Sequence, residues 1–264
     1  MTRSDSGGQM VVVHAGQTNP VDEQLVRRLI AAQFPHWDGP AVERWPSGGT
    51  VNAMFRLGDD LVVRLPLGKS GAEDVALEQK WLPRIASLLP ASIPEVVGEG
   101  NAAEGYPWRW SVYRWLPGEN PRAGALSRPR LLAEDLAEFV NAMRRITLPG
   151  APQAYRGGPP VWSLADLMPG NLLVDDGRLA AVIDFGCLGV GDPACDLFPA
   201  WNLLPAEERN VFRDALRVDD ATWSRGRGRT LSQALIALPY YRKTNPTMAD
   251  NARRVIRAVL EEDG

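Results

Sequence analysis

The feature that most constrains the fold of this chain is residues 161–196, where three oxygen-bearing side chains recur at fixed intervals. Asp166 is followed five positions later by Asn171, and Asp184 comes after a further short stretch. Between Asn171 and Asp184 lie two apolar runs joined by the sequence Asp-Asp-Gly at 175–177. This pattern predicts two strands and a tight turn. Such a hairpin would bring Asn171 and Asp184 back together.

These three side chains have the chemistry that phosphoryl transfer requires. Oxygen ligands hold Mg²⁺ against nucleotide phosphates, and we interpret Asn171 and Asp184 as those ligands. Asp166 is interpreted as the base that accepts a hydroxyl proton, because Pro169 and Gly170 keep this segment in a loop that a substrate can approach. Any one of these acidic residues alone would more simply be a turn or cap residue. The spacing and the predicted hairpin together favour the catalytic interpretation.

The same stretch resembles the catalytic segment of the aminoglycoside phosphotransferase family, within the protein-kinase-like superfamily. That family's pattern is HGDLxPGN, then IDFG, then GDPxxD, and this chain has LADLMPGN at 164–171, IDFG at 183–186 and GDPACD at 191–196. The resemblance covers residues 20–260. It implies an α+β, bilobal, protein-kinase-like fold with a small N-terminal β-rich lobe and a larger, mainly helical C-terminal lobe. It also implies Mg²⁺ as cofactor and ATP or GTP as co-substrate.

The chain departs from the family's pattern at Leu164 and Ala165, where the family has His and Gly. By that pattern the His steadies the loop through hydrogen bonding, which Leu cannot do. One lost hydrogen bond is worth about 0.5–1.5 kcal/mol, whereas a lost general base costs on the order of a hundredfold in rate. The departure therefore affects efficiency more than reaction type. The alternative hypothesis is a nucleotide-binding pseudoenzyme that acts as a sensor or partner-binding protein.

The chain is expected to have three parts. These are an N-terminal extension, a nucleotide-binding lobe, and a catalytic and substrate-binding lobe, at residues 1–19, 20–116 and 117–264. In the nucleotide-binding lobe, the periodicity predicts an amphipathic helix at 20–34 with Asn19 as its cap, then strands at 53–57 and 61–65. In the third part it predicts helices at 128–146, 205–216, 222–241 and 246–260.

A glycine turn before the first of these strands is a candidate phosphate-binding loop. It consists of Ser47, Gly48, Gly49 and Thr50. Exposed amides of such a turn can approach phosphates closely, but Gly-Gly between strands is more often merely a turn.

Further nucleotide contacts are implied by the resemblance. It places a phosphate-contacting cation at Arg64 and its carboxylate partner at Glu78, for which an ordinary surface ion pair is the alternative. Residues 110–116 resemble the segment that connects the lobes beside adenine. Backbone groups near Tyr113 and Trp115 would recognise the nucleotide there, although aromatic side chains in such a strand are more often core.

The acceptor is less visible in the sequence. The resemblance favours an aminoglycoside or related antibiotic, and a polycationic substrate would require carboxylates around its ammonium groups. The candidate acids are Asp192, Asp196, Glu207, Glu208 and residues 261–263. Their simpler interpretation is that Asp192 and Asp196 brace the catalytic loop and that Glu207 and Glu208 begin a helix. A kinase of a different small metabolite is a further alternative, since one fold accommodates many substrates.

Composition excludes several classes of protein. With 264 residues, 45% of them hydrophobic, the chain can bury a large core. A formal net charge of −3 gives no support for nucleic-acid binding. No apolar run reaches the roughly 18 residues of a membrane span, and residues 1–9 are too polar for a signal sequence. We therefore expect a cytoplasmic protein whose partners are a nucleotide and a hydroxyl-bearing small molecule.

Overall fold

A computed structural model describes residues 21–46, 51–153 and 159–261. The expected N-terminal extension and the glycine turn at 47–50 lie outside these ranges. Contacts between Cα atoms divide the chain into two compact units. The first consists of Met1–Val75 and Gly98–Tyr113, and the second of Ala76–Val97 and Arg114–Gly264.

Most of a five-stranded sheet with the strand order β1-β2-β3-β5-β4 lies in the first unit. The strands are β1 (Val42–Trp45), β2 (Asn52–Leu57), β3 (Leu61–Pro66), β4 (Val96–Gly100) and β5 (Trp110–Arg114). β2 and β3 are antiparallel, with Leu57 opposite Leu61, as the two predicted strands require. Gly58, in the turn between them, has a φ of 59°, a left-handed conformation that glycine adopts at little cost.

The helix α1 (Glu23–Gln33) accompanies this sheet. Its cap is Asp22, whose Oδ1 accepts a hydrogen bond from the backbone N–H of Leu25 at 2.8 Å. The predicted cap, Asn19, lies outside the described residues, and the helix begins later than expected because Asp22 satisfies its first free amides. The apolar face is buried as the periodicity predicts, with Leu25, Val26, Leu29 and Ile30.

Helices dominate the second unit. The helices that follow α1 are α2 (Lys69–Ile85, which starts in the first unit), α3 (Pro129–Arg144), α4 (Pro199–Asn202), α5 (Ala206–Leu216), α6 (Asp220–Tyr241) and α7 (Pro246–Leu260). The four helices predicted from the periodicity of residues 128–260 are α3, α5, α6 and α7. Large apolar side chains with no exposed surface form the core of the unit, among them Phe139, Phe185, Trp201 and Phe212.

Two small two-stranded antiparallel sheets in this unit position the candidate site. β6 (Val161–Ser163) pairs with β9 (Gly189–Gly191), and β7 (Leu172–Asp175) pairs with β8 (Arg178–Val182). The chain between β6 and β7 carries Asp166 and Asn171, and the chain between β8 and β9 carries Asp184. The predicted α+β class, with a β-rich N-terminal part and a mainly helical C-terminal part, is confirmed. Within the three described ranges, no helix combines the length and the apolar character needed to cross a membrane.

Candidate active site

The loop after β6 begins with two buried residues, Leu164 and Ala165. Ala165 has a φ of 62°, in the left-handed region that residues with a Cβ atom occupy at a cost of about 1 kcal/mol or more. The family's pattern has Gly at this position, for which the conformation carries little penalty. The loop has therefore kept a glycine-like backbone although the residue is alanine.

The carboxylate of Asp196 holds this strained backbone. Its Oδ1 accepts a hydrogen bond from the Ala165 N–H at 2.7 Å, and the residue is 1% exposed. Burial raises the pKa of Asp196, while the Ala165 amide and the charge of Arg144 lower it. This contact agrees with the interpretation of Asp196 as a brace for the loop. Because it is buried, the carboxylate is removed from the surface that a cationic acceptor would meet.

Asp166 and Asn171 are joined by direct hydrogen bonds. The Asn171 amide nitrogen donates to Oδ2 of Asp166 at 2.9 Å and to the Asp166 backbone carbonyl at 3.0 Å. Since the nitrogen is occupied by Asp166, the amide oxygen of Asn171 is the atom that can face a cation. One side chain thus orients the candidate base and offers a metal ligand.

The hairpin of β7 and β8 brings the second metal-ligand candidate alongside. The backbone N–H of Ile183 donates to the carbonyl of Asn171 at 2.9 Å, so Asp184 directly follows a bonded partner of Asn171. The turn has positive φ at both Asp176 (45°) and Gly177 (73°), as the tightest hairpin turns require. The hairpin predicted from the Asp-Asp-Gly sequence therefore forms, and it joins the two positions.

A buried carboxylate from α2 fixes the segment that carries Asp184. Oε1 of Glu78 accepts a hydrogen bond from the Phe185 N–H at 2.8 Å, and neither residue has exposed surface. Asp184 itself has a φ of 60°. The charged Glu78 side chain accepts from the N–H of the next residue, Phe185, and this helps to hold Asp184 in its unfavourable left-handed conformation. The resemblance assigns Glu78 to Arg64, and the bond to Phe185 is a second role that the sequence does not indicate.

The electrostatic environment of Asp166 suits a proton acceptor. Burial, followed by the nearby charge of Asp184, raises the pKa of Asp166 to about 6, while the Asn171 hydrogen bond and the charge of Arg229 act in the opposite direction. A carboxyl with a pKa near 6 is mostly ionised at pH 7. It also holds a proton more strongly than an exposed aspartate does, which favours general-base chemistry.

The donor set fits magnesium in its chemistry. Asn171 and Asp184 offer only oxygen ligands, which Mg²⁺ prefers, and few protein ligands are needed where nucleotide phosphates complete the coordination. Over the described part of the chain, no group of three or more His, Cys, Asp or Glu side chains is arranged to hold a metal. The candidate set itself consists of an amide and a carboxylate and differs from the thiol and imidazole ligands that zinc sites favour.

In the first unit, Arg64 lies on β3 and is 6% exposed. The side-chain amide of Asn52, oriented with its oxygen towards Arg64, accepts from Nη2 at 2.9 Å and from Nε at 3.0 Å. Arg64 is thus a buried cation, unlike the member of an exposed ion pair. Its contact with phosphate stays a prediction.

The structure describes only some of the other candidate nucleotide-binding residues. Ser47, Gly48, Gly49 and Thr50 lie outside the described residues. The Tyr113 side chain is buried in β5, and Trp115 is half-buried just after it. The ring of Tyr113 therefore belongs to the core, and recognition of the base by the backbone near Tyr113 and Trp115 stays a prediction.

The acids proposed to meet a cationic acceptor have structural positions of their own. Asp192 accepts from Arg225 at 3.0 Å (Nε to Oδ2) and 3.1 Å (Nη2 to Oδ1). Glu207 and Glu208 occupy the first turn of α5, where acids stabilise a helix start. The positions of Glu207 and Glu208 match their simpler interpretation as the start of a helix, whereas the bracing of the loop by Asp192 stays a prediction. Of residues 261–263, only the first is described.

Two residues near the loop were not singled out from the sequence. Arg229, in α6, acts on Asp166 through its charge, and its Nε and Nη2 atoms are buried. Asn120 donates its side-chain amide to the carbonyls of Gly170 at 3.0 Å and Leu172 at 2.8 Å. Both belong to segments far from the motif in sequence, so spacing gives no signal for them.

Comparison with solved structures finds the same fold in antibiotic phosphotransferases. The GDP and kanamycin complex of APH(2″)-IIIa superposes with a TM-score of 0.75 at 18% identity, covering 90% of this chain and 99% of that one. The streptomycin–ATP–APH(2″)-IIa ternary complex gives a TM-score of 0.63 at 15% identity, with coverages of 90% and 99%. Macrolide 2′-phosphotransferase MphH from Brachybacterium faecium gives 0.63 at 18% identity, with coverages of 90% and 98%. At these identities the likeness establishes the fold.

Comparison by sequence finds fewer matches than comparison by structure. No curated protein matches the chain. A family model, that of the phosphotransferase enzyme family, matches residues 44–162 and 148–229 and so spans most of the chain.

Proposed function

Because the chain belongs to the phosphotransferase enzyme family, we propose that it transfers the γ-phosphoryl group of a nucleoside triphosphate to a hydroxyl group of a small molecule. The observation that carries the proposal is the 2.9 Å bond between Asn171 and Asp166. It orients a carboxylate with a raised pKa and leaves an amide oxygen available for a cation. Asp184 joins this pair through the hairpin.

In this reaction the acceptor oxygen bonds to the γ-phosphorus, the bond to the β,γ-bridging oxygen breaks, and a nucleoside diphosphate leaves. Asp166 accepts the proton of the acceptor hydroxyl, as the aspartate of the kinase catalytic loop does. Asn171 and Asp184 would hold Mg²⁺, which when bound neutralises charge on the phosphates. Arg64 would contact phosphate from the first unit, and Glu78 would orient it. Each assignment of a residue follows the family's motif.

The co-substrate is proposed to be ATP or GTP. Similar structures contain GDP, ADP or ATP, so the fold accommodates both bases in those proteins. A cytoplasmic location fits this reaction because ATP and GTP are plentiful there.

The proposed acceptor is an aminoglycoside or related antibiotic. Structures similar to this one include complexes with kanamycin, gentamicin and streptomycin, as well as macrolide phosphotransferases. Over the second unit the charges balance, with 21 Lys and Arg against 21 Asp and Glu, so its net charge favours neither the polycationic aminoglycosides nor the less charged macrolides.

The loop geometry supports an enzyme over the pseudoenzyme. Leu164 cannot replace the hydrogen bonds of the family's histidine, but Asp196 holds the loop through the Ala165 backbone. The pairing of Asp166 with Asn171 is also intact. A binding-only descendant has no need of a base held in this way.

Mass spectrometry of a panel of acceptors tests the proposal. The protein is incubated with Mg²⁺ and ATP or GTP and with aminoglycosides, macrolides and simple metabolite alcohols, alongside the variants Asp166→Ala and Asp175→Ala. We expect a mass gain of one phosphate on an antibiotic with the unchanged protein and with Asp175→Ala, which alters an exposed aspartate of the neighbouring hairpin. Asp166→Ala should lose on the order of a hundredfold or more in rate. Nucleotide binding with no phosphorylated product would favour the pseudoenzyme, and a product from a metabolite alone would favour the other kinase.

A further inference from the structure

We propose that Asn120 is a positioning residue for the metal ligand Asn171, an inference that rests on the proposed function. Its amide nitrogen lies 3.0 Å from the carbonyl oxygen of Gly170 and 2.8 Å from that of Leu172. These two residues flank Asn171 on either side. The carbonyl of Pro169 lies at the longer distance of 3.4 Å.

The geometry explains why this contact acts on Asn171. An amide nitrogen has two N–H groups, and here they reach the carbonyls immediately before and after one residue. The backbone of Asn171 is thereby fixed on both sides, and with it the direction from which its side chain starts. The Asn171 side chain bonds Asp166, so a shift of this backbone would also disturb the base.

The segment that carries Asn120 is itself tied to β7. Glu119 and Val174 exchange two backbone hydrogen bonds, at 3.0 Å from the Glu119 N–H and 2.8 Å from the Val174 N–H. Asn120 is therefore held against the start of the hairpin. A flexible surface side chain would not keep three carbonyls within reach.

Asn120 is exposed, which separates positioning from general stability. An exposed hydrogen-bonding side chain contributes little to folding, so its loss should leave the protein folded. Residues that orient a metal ligand typically change metal affinity by 10-fold to 100-fold when they are replaced. Metal binding should consequently respond far more than the unfolding temperature.

The variant Asn120→Asp tests the inference because it keeps the size of the side chain. It replaces both donors with a carboxylate that faces carbonyl oxygens, which repel it. The matched control is Asn141→Asp. The Asn141 amide likewise donates to a backbone carbonyl, that of Ala215 at 3.0 Å, but it lies in α3 away from the loop.

Two measurements are made on the full chain. In the first, electron paramagnetic resonance follows Mn²⁺ binding in the presence of a non-hydrolysable ATP or GTP analogue. In the second, amide hydrogen exchange of residues 170–172 is followed without metal or nucleotide. We expect Asn120→Asp to bind Mn²⁺ at least 10-fold more weakly and to exchange faster in this segment, while Asn141→Asp behaves as the unchanged protein in both.

The outcomes are separable. Mn²⁺ affinity within twofold of the unchanged protein, together with unaltered exchange at 170–172, overturns the positioning role. If the unchanged protein binds no Mn²⁺ with nucleotide, the proposed function fails, and the exchange measurement alone decides whether Asn120 holds the loop.

Discussion

Asp196 accepts a hydrogen bond from the backbone of Ala165 at 2.7 Å, across 31 positions of sequence. The bond joins the start of the loop after β6 to the short 3-10 helix Pro193–Leu197. It lies in the core, where neither partner can exchange it for water. The loop is thus anchored by a buried residue of that 3-10 helix.

Removal of this acceptor should destabilise the protein. Asp196→Ala leaves the Ala165 N–H buried without its partner, and we expect the free energy of unfolding to fall by about 2–3 kcal/mol. Asp196→Asn keeps an acceptor oxygen and should lose less. Chemical denaturation measures both, with Asp250→Ala as an exposed control that should change by less than about 0.5 kcal/mol. An unchanged free energy of unfolding in Asp196→Ala would contradict the anchoring role of Asp196.

The left-handed backbone of Ala165 predicts that glycine would be better there. Ala165→Gly relieves a conformational cost of about 1 kcal/mol, part of which is offset by the greater freedom of glycine in the unfolded chain. We expect the free energy of unfolding to rise by up to about 1 kcal/mol. The control is Ala137→Gly, buried in α3, which should lower it by about 1 kcal/mol. If Ala165→Gly loses as much stability as the control, the backbone of Ala165 is not strained.

The pKa of Asp166 predicts a pH-dependent gain in stability for Asp166→Asn. A folded-state pKa of about 6, raised above the ordinary value of 3.8, means that the native carboxyl prefers its proton. Ionised Asp166 therefore opposes folding above pH 6, and this effect disappears as the pH falls below 4. In metal-free protein, Asp166→Asn should raise the free energy of unfolding at pH 8 by at most about 3 kcal/mol.

This gain should fade between pH 6 and pH 4. Denaturation of both proteins at a series of pH values gives the comparison, with Asp175→Asn as an exposed control that changes nothing. A difference that is constant with pH would show that Asp166 is not responsible through its charge.

A side chain at position 118, which is Gly118, is predicted to destabilise the protein. Gly118 has a φ of 128°, and a Cβ atom there would lie 3.0 Å from Cβ of Leu173 and 3.2 Å from the carbonyl of Val174. Gly118→Ala should cost about 2–4 kcal/mol through strain and displacement of β7. Gly124 has a φ of 80°, and a Cβ atom there would have nothing within 4 Å. Gly124→Ala should therefore lose only the stability that the unfavourable backbone conformation costs. Equal losses in the two variants would show that the contact with β7 is unimportant.

The elements that follow simple periodicity could be predicted from the sequence. The β7–β8 hairpin was predictable because apolar runs flank a Gly-containing turn, and α7 because its apolar residues recur at helical spacing. The α1 cap was wrongly placed at Asn19, since Asp22 and Asn19 are both good cap residues and only packing decides between them.

Contacts over long separations were beyond the sequence. The bond from Phe185 to Glu78 crosses 107 positions, and those from Asn120 cross about 50. Glu78 was assigned a partner from the family's pattern, which says nothing of the Phe185 amide. Asn120 belongs to no motif, and its donor role appears only when the loop has folded against it. A side chain that forms a hydrogen bond with the backbone of a distant segment produces no periodic pattern in the sequence.

The contact between Asp196 and Ala165 has a consequence for how this protein can vary. Every amino acid except proline supplies the backbone N–H that Asp196 uses, so the anchor does not depend on the identity of the side chain at 165. A loop held in this way can carry alanine at position 165, where the pattern that it resembles has glycine, and keep its shape. Among single substitutions at position 165, proline alone would abolish the bond by chemistry. The departure of this chain from its family's pattern is therefore one that the fold itself makes tolerable.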